Sequence, residues 1–143
     1  MGGFVSDCLA RLPGRRVGQI CVDHEYTLAL LSLAAGDEPE YFWLAIGGRF
    51  AYRSTDAAEH LLGSEDDPVH FGPSLALFGD IVSEASVSAA GELTVRFESG
   101  AEVVIPTDPH YEAWRLNGQG ITTIVSPPGG GQPVTPVREY RGT

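Results

Sequence analysis

Chemistry near neutral pH calls for an imidazole, paired carboxylates, an activated nucleophile or a metal-ligand cluster, so the four histidines come first. His24 follows Asp23, a carboxylate that could orient the ring, yet neighbours on a strand point to opposite faces. The pair can act together only if a turn lies between them. His60 finds no second ligand at Asp56 or Ser64, its helically spaced partners. His70 follows an acidic stretch and His110 follows a turn. None of the four makes an HxH or HExxH spacing, so no metal site is expected. Ser74, in Gly72-Pro73-Ser74, lacks the second glycine of a nucleophile elbow and the apolar strand before it. Gly129-Gly130-Gly131 carries no lysine and opens no helix, unlike a phosphate loop. Glu65-Asp66-Asp67 lacks the alternating oxygen ligands and the glycine of a calcium loop. No cofactor is expected.

The densest grouping of chemically able side chains is His110, Tyr111, Glu112 and Trp114, an imidazole, an acid and two aromatics beside a hairpin. With Trp43 and His24 they form the candidate binding residues, and no residue is assigned a catalytic role. The plainer reading makes Tyr111 and Trp114 core anchors and leaves Glu112 in water. Tyr41, Trp43, Phe50 and Tyr52 could line an aromatic box, although aromatics at strand spacing serve more often as core. Cys8 and Cys21 read as reduced, small apolar side chains.

Short strands must position these residues. Residues 79–106 read as three consecutive strands, and 93–98 alternate cleanly between Leu93, Val95, Phe97 and Thr94, Arg96, Glu98. A fainter copy of the first two strands lies 65 residues earlier, at 14–33. Aligned without a gap, Gly14 meets Gly79, Val17 meets Val82, Val22 meets Val87 and Leu28 meets Leu93. The first copy predicts strands at 16–23 and 26–34. The second of these is apolar on both faces, which predicts a central strand covered on both sides. A short helix capped by Ser6 precedes the first copy, and one around 74–78 precedes the second. Gly47-Gly48 reads as a two-residue hairpin between aromatic strands. Residues 54–62 read as a helix, because Asp56 and Glu59 have capping-box spacing and Gly63 ends it. A last hairpin joins 111–116 to 121–125. It echoes either Tyr41 and its neighbours at an offset of 70, or leaves 41–46 equivalent to 101–105; both registers stand open.

The fold expected is therefore β-rich α+β: two similar β-meander units with short helices, offset by about 65 residues, forming a sandwich or partial barrel. A single domain spans 1–126, its units at about 5–54 and 73–126. A Pro/Gly-rich tail at 127–143 is not expected to form regular structure.

The net charge of −10, with nine Arg and no Lys, argues against nucleic acid and anionic membranes as partners. It favours a basic protein partner. No apolar run reaches the length of a signal core or a membrane span, so the expected location is cytoplasmic.

The block from Asp108 to Gly118, DPHYEAWRLNG, followed by Pro128-Gly129-Gly130, is similar to one in short actinobacterial proteins that carry a domain of unknown function. The Gly79 strand start and the Leu-x-Val-x-Phe strand with its Ser-Gly turn also resemble that family. The likeness spans about 14–130 and is most specific in its last third. It implies no activity, and no residue inherits a role from it.

The leading expectation is a non-catalytic cytosolic protein acting through protein–protein contact, in its most concrete form a toxin-neutralising, immunity-type inhibitor. The sequence weighs against an enzyme without settling the matter. A small-ligand-binding or hydrolytic domain with an aromatic-lined pocket is the alternative, and a homodimeric structural module is a third.

Overall fold

A computed structural model describes residues 3–32, 39–63 and 67–136. The turn expected at 36–39 and the acidic residues 65–66 fall wholly or mostly outside them. Helix α1 (Gly3–Ala10) leads into strands β1 (Arg16–Val22), β2 (Tyr26–Ser32), β3 (Glu40–Ile46), β4 (Phe50–Arg53) and β5 (Glu59–Leu62). A 3₁₀ stretch (Pro68–Leu77) then precedes β6 (Val82–Val87), β7 (Leu93–Phe97), β8 (Glu102–Ile105), β9 (Trp114–Gly118) and β10 (Ile124–Val125).

The strands form two five-stranded antiparallel sheets, ordered β1-β2-β3-β9-β10 and β5-β4-β8-β7-β6. Neither sheet closes on itself. Period-two alternation turns Leu28, Leu30, Leu44 and Leu116 of the first sheet inward, and Val95, Val103, Ile105 and Phe50 of the second. These side chains belong to one shared core, so the expected β-rich α+β architecture is present. Tyr26 stands at its centre, 4.9 Å from the Phe50 ring and 5.4 Å from that of Phe71.

The two sheets repeat one another in strand order. β1, β2 and β3 correspond to β6, β7 and β8, while β9-β10 completes the first sheet as β4-β5 completes the second. Each half of the chain lends its last two strands to the other half's sheet. Reciprocal hydrogen bonds mark the local axis: Gly14 N donates to Val82 O and Gly79 N to Val17 O, both at 2.8 Å. Val17 N donates to Asp80 O and Val82 N to Arg15 O in the same reciprocal way. Both glycines hold positive φ, +91° and +87°, where a side chain is strained. Matching irregularities follow at Val17/Gln19 and Val82/Glu84. These equivalences support a duplicated unit of the kind read from the sequence.

The ungapped alignment holds through β1 and β6 but slips by two residues afterwards. Val17 pairs with Leu30 and Val82 pairs with Phe97, which makes Leu30 equivalent to Phe97 and Leu28 to Val95. A two-residue slip keeps every side chain on its own face, so the hydrophobic pattern alone cannot detect it. Further on, Ile46 is equivalent to Ile105, since Tyr26 pairs with Ile46 where Leu93 pairs with Ile105. The register that sets 41–46 against 101–105 is the one the strands adopt.

Four local expectations are corrected. Gly47-Gly48 makes no hairpin; it carries the chain from β3 in one sheet to β4 in the other. Residues 54–62 form no helix. Asp56 Oδ1 accepts from Ala58 N at 3.2 Å and from the Ser54 hydroxyl, and Ala57 sits at φ +70°, so a side-chain-closed turn displaces the helix and β5 follows. Ser6 lies inside α1 and does not cap it. Part of the tail is ordered: Gly131 N donates to Ala90 O, Gln132 Nε2 to Ser88 O and Ala89 O, and Val134 bridges Val125.

Candidate functional site

The outer face of the β1-β2-β3-β9-β10 sheet carries a concavity beside Trp43. It is a shallow, open depression of about 650 Å³ whose lining includes Glu25, Thr27, Trp43, Ala45, Arg115 and Asn117. A second depression of about 220 Å³, lined by Gln19, Cys21, Thr27, Ala29 and Trp43, lies on the other side of the indole. Trp43 is thus a ridge between two hollows, and it is 39% exposed. Tyr41 braces it, with ring centroids 5.8 Å apart and planes 17° from parallel. Small neighbours on the flanking strands leave the indole standing clear: Ala29 on β2 and Asn117 on β9 pair directly with it.

Gly118 lets β9 come this close. A Cβ there would lie 2.6 Å from Phe42 Cδ1 and 2.8 Å from Tyr41 O, so no side chain fits without a shift. Gln119 Oε1 accepts from Tyr41 N at 2.8 Å and ties the end of β9 to β3. The charges on this face compensate each other, with Arg115 Nη2 3.2 Å from Glu25 Oε1. Among the described residues no histidine lines either hollow.

The outer face of the other sheet is built differently. Glu84, Arg96, Glu102, Arg53 and Glu59 follow one another across all five strands in register. Their charges alternate, and the successive pairs lie at 3.2, 3.4, 3.1 and 3.6 Å. By the equivalences above, this row corresponds to Gln19, Ala29, Trp43 and Asn117 in the first sheet. Where one sheet carries a self-neutralising charge ladder, the equivalent row of the other is uncharged and presents an indole at the central position.

The sequence-based candidates scatter around this arrangement. Trp43 lies at its centre. Trp114 starts β9 but faces inward, only 1% exposed, with its Nε1 hydrogen lacking a partner among the described residues. His110, Tyr111 and Glu112 lie on the exposed loop between β8 and β9. There Asp108 Oδ1 accepts from His110 N at 2.8 Å and from Tyr111 N at 3.1 Å. The His110 and Tyr111 rings meet edge to face at 6.3 Å, and Tyr111 is 70% exposed. His24 is exposed in the β1-β2 turn, where Asp23 Oδ1 accepts from Glu25 N and not from the imidazole. Of the aromatic box, Phe50 and Tyr52 belong to the core and only Tyr41 and Trp43 share a face. Thr27, Ala29, Ala45 and Asn117 were missed. For Thr27 and Ala29 the signal was the uncharged outward positions of the strand read at 26–34 as covered on both sides. The outer side of that strand is instead the floor of the open face.

Shifted ionisations lie elsewhere. Burial pushes the Tyr26 hydroxyl up to about 12, against the opposing hydrogen bond to Ser74. Burial raises Tyr52, and the charges of Asp80 and Asp56 add to it. The Ser54 hydroxyl holds Asp56 low, Arg15 holds Glu40 low, and burial raises Cys8. The Trp43 face offers shape and apolar contact.

Fold and face together describe a small β-rich α+β protein with one charge-laddered sheet and one sheet that exposes Trp43. The chain belongs to the Family of unknown function (DUF6188), which it matches over residues 8–135. That match takes in the docked part of the tail. No curated protein and no solved structure matches the chain.

Proposed function

We propose that the chain is a non-catalytic binding protein of an actinobacterial cytosol, and that it acts through protein–protein contact on the outer face around Trp43. The observation that carries this reading is the difference between the two equivalent sheet faces. A stacked Trp–Tyr pair beside a half-exposed Arg115 is the composition of interface hot spots. The shallow hollows suit a protein surface better than an enclosed small ligand. The net charge of −10 favours a basic partner through steering, which fits a toxin-neutralising inhibitor as the specific form.

The experiment is quantitative capture from host extracts with wild-type protein and with Trp43→Glu, which installs the charge that the other sheet carries at Glu102. A basic protein retained by wild type and lost by the variant supports the reading. An identical set of proteins retained by both would contradict it. Light-scattering mass separates out the homodimer, for which a doubled mass would be abolished by the same substitution.

A further inference from the structure

A second concavity, away from the Trp43 face, lies between the 3₁₀ stretch and the β4-β5 turn. It measures about 450 Å³, and Tyr52, Asp56, Phe78, Asp80 and Ser99 contribute to its wall. Tyr52 reaches it from the inner side of β4 and is only 2% exposed. Its hydroxyl has no hydrogen-bond partner among the described residues, unlike the equally buried Tyr26, which donates to Ser74 Oγ at 2.9 Å. The Tyr52 ring is enclosed and its side chain lines the cavity, so a hydroxyl without a protein partner is available there to a ligand.

Two carboxylates share the cavity. Asp80 accepts from Ile81 N, Ser99 N and the Ser99 hydroxyl, which fixes its orientation and leaves lone pairs free. Asp56 is held through Oδ1 alone, so Oδ2 is free. Among the described residues neither forms an ion pair, whereas Glu25, Glu40, Glu59, Glu84 and Glu102 all do. Phe78 adds an apolar wall and is 65% exposed. Negative charge, an unpartnered oxygen and an aromatic ring together describe the complement of an organic cation.

We propose that this cavity binds an alkylammonium or guanidinium group. Its N–H groups donate to the Tyr52 hydroxyl oxygen, to Asp56 Oδ2 and to the remaining lone pairs of the Asp80 carboxylate. The alkyl arm lies against Phe78, where the ring face also attracts the charge. The site stands independently of the Trp43 face. Its ligand is either a free amine or a basic side chain of a protein.

The test is an amide-resolved NMR titration of the whole chain with n-butylammonium chloride, beside sodium chloride at equal ionic strength and the neutral 1-pentanol. Saturable shifts at Asp56, Gly79, Asp80 and Ser99 are expected with the ammonium alone. Tyr52→Phe removes an oxygen that has no protein partner, so the fold is retained while affinity falls about five-fold, the worth of one hydrogen bond. Asp56→Asn keeps the acceptor for Ala58 N and loses the charge, and it weakens binding at least as much. A lysine-containing peptide that binds tighter than butylammonium points to a side chain as the source; equal affinity points to a free amine. Non-saturating shifts, the same shifts with sodium or pentanol, or unchanged affinity in both variants would overturn the proposal.

Discussion

Single side chains tie this chain together at points the hydrophobic pattern does not mark. Arg15 is buried, lies 3.7 Å over the Phe42 ring, donates to Arg11 O and Glu40 O at 2.9 Å, and pairs with the Glu40 carboxylate. That contact holds Glu40 below its ordinary pKa. A carboxylate depressed in the folded state adds stability above its unfolded pKa and loses it as pH falls through the folded value. Glu40→Gln should therefore lower stability at neutral pH and flatten the acid side of a denaturation profile, read by urea midpoints across acidic pH. Tyr26 works in the opposite direction. Its folded pKa of about 12 stands above the ordinary tyrosine value, so its contribution is intact below about pH 10 and is lost as pH rises towards the folded value. Tyr26→Phe should cost about 1 kcal/mol at neutral pH through loss of the Ser74 bond, and should diminish the alkaline unfolding. The Ser74 hydroxyl keeps its bond to Phe71 O at 2.6 Å, so the variant leaves no orphaned donor.

At the scale of elements, the two halves are legible in sequence wherever local chemistry and period agree. Leu93–Phe97 alternates and lies between turns closed by Gly91 and Gly100, both at positive φ, so its bounds could be read directly. Gly14 and Gly79 were legible for a like reason, since both hold left-handed backbone beside the reciprocal bonds of the local axis. Neither has an atom within 4 Å of a built Cβ, so Gly14→Ala and Gly79→Ala meet backbone strain alone. Each should cost about 1–2 kcal/mol, to a similar extent, by urea denaturation. Other features were hidden. Residues 54–62 have helical spacing and capping chemistry, yet the Ser54–Asp56 turn and the packing of Leu62 against the core override them. The exchange of β4-β5 and β9-β10 between sheets is a long-range choice that no local signal at Gly47-Gly48 encodes. The two-residue slip in the repeat was invisible because period two preserves facing. The equivalence of Trp43 with Glu102 lay in the open register between 41–46 and 101–105, which only pairing across the sheets decides.

For the whole molecule, the shared core makes both sheets necessary to the fold, while their outer faces are free to differ. One of them neutralises itself through Glu84, Arg96, Glu102, Arg53 and Glu59, pairs at the surface that contribute little individually. The other gives up that ladder and exposes an indole, which a stable isolated fold does not require. Losing Trp43 should therefore cost under about 1 kcal/mol of stability, mainly its stacking on Tyr41. Equivalent positions allow a matched comparison: the affinity of the captured partner for Trp43→Glu against Glu102→Ala, both checked for unchanged unfolding. The account predicts that Trp43→Glu abolishes binding and Glu102→Ala leaves it at the wild-type value. Binding that survives Trp43→Glu, or that is lost with Glu102→Ala, would place the contact on another surface and contradict it.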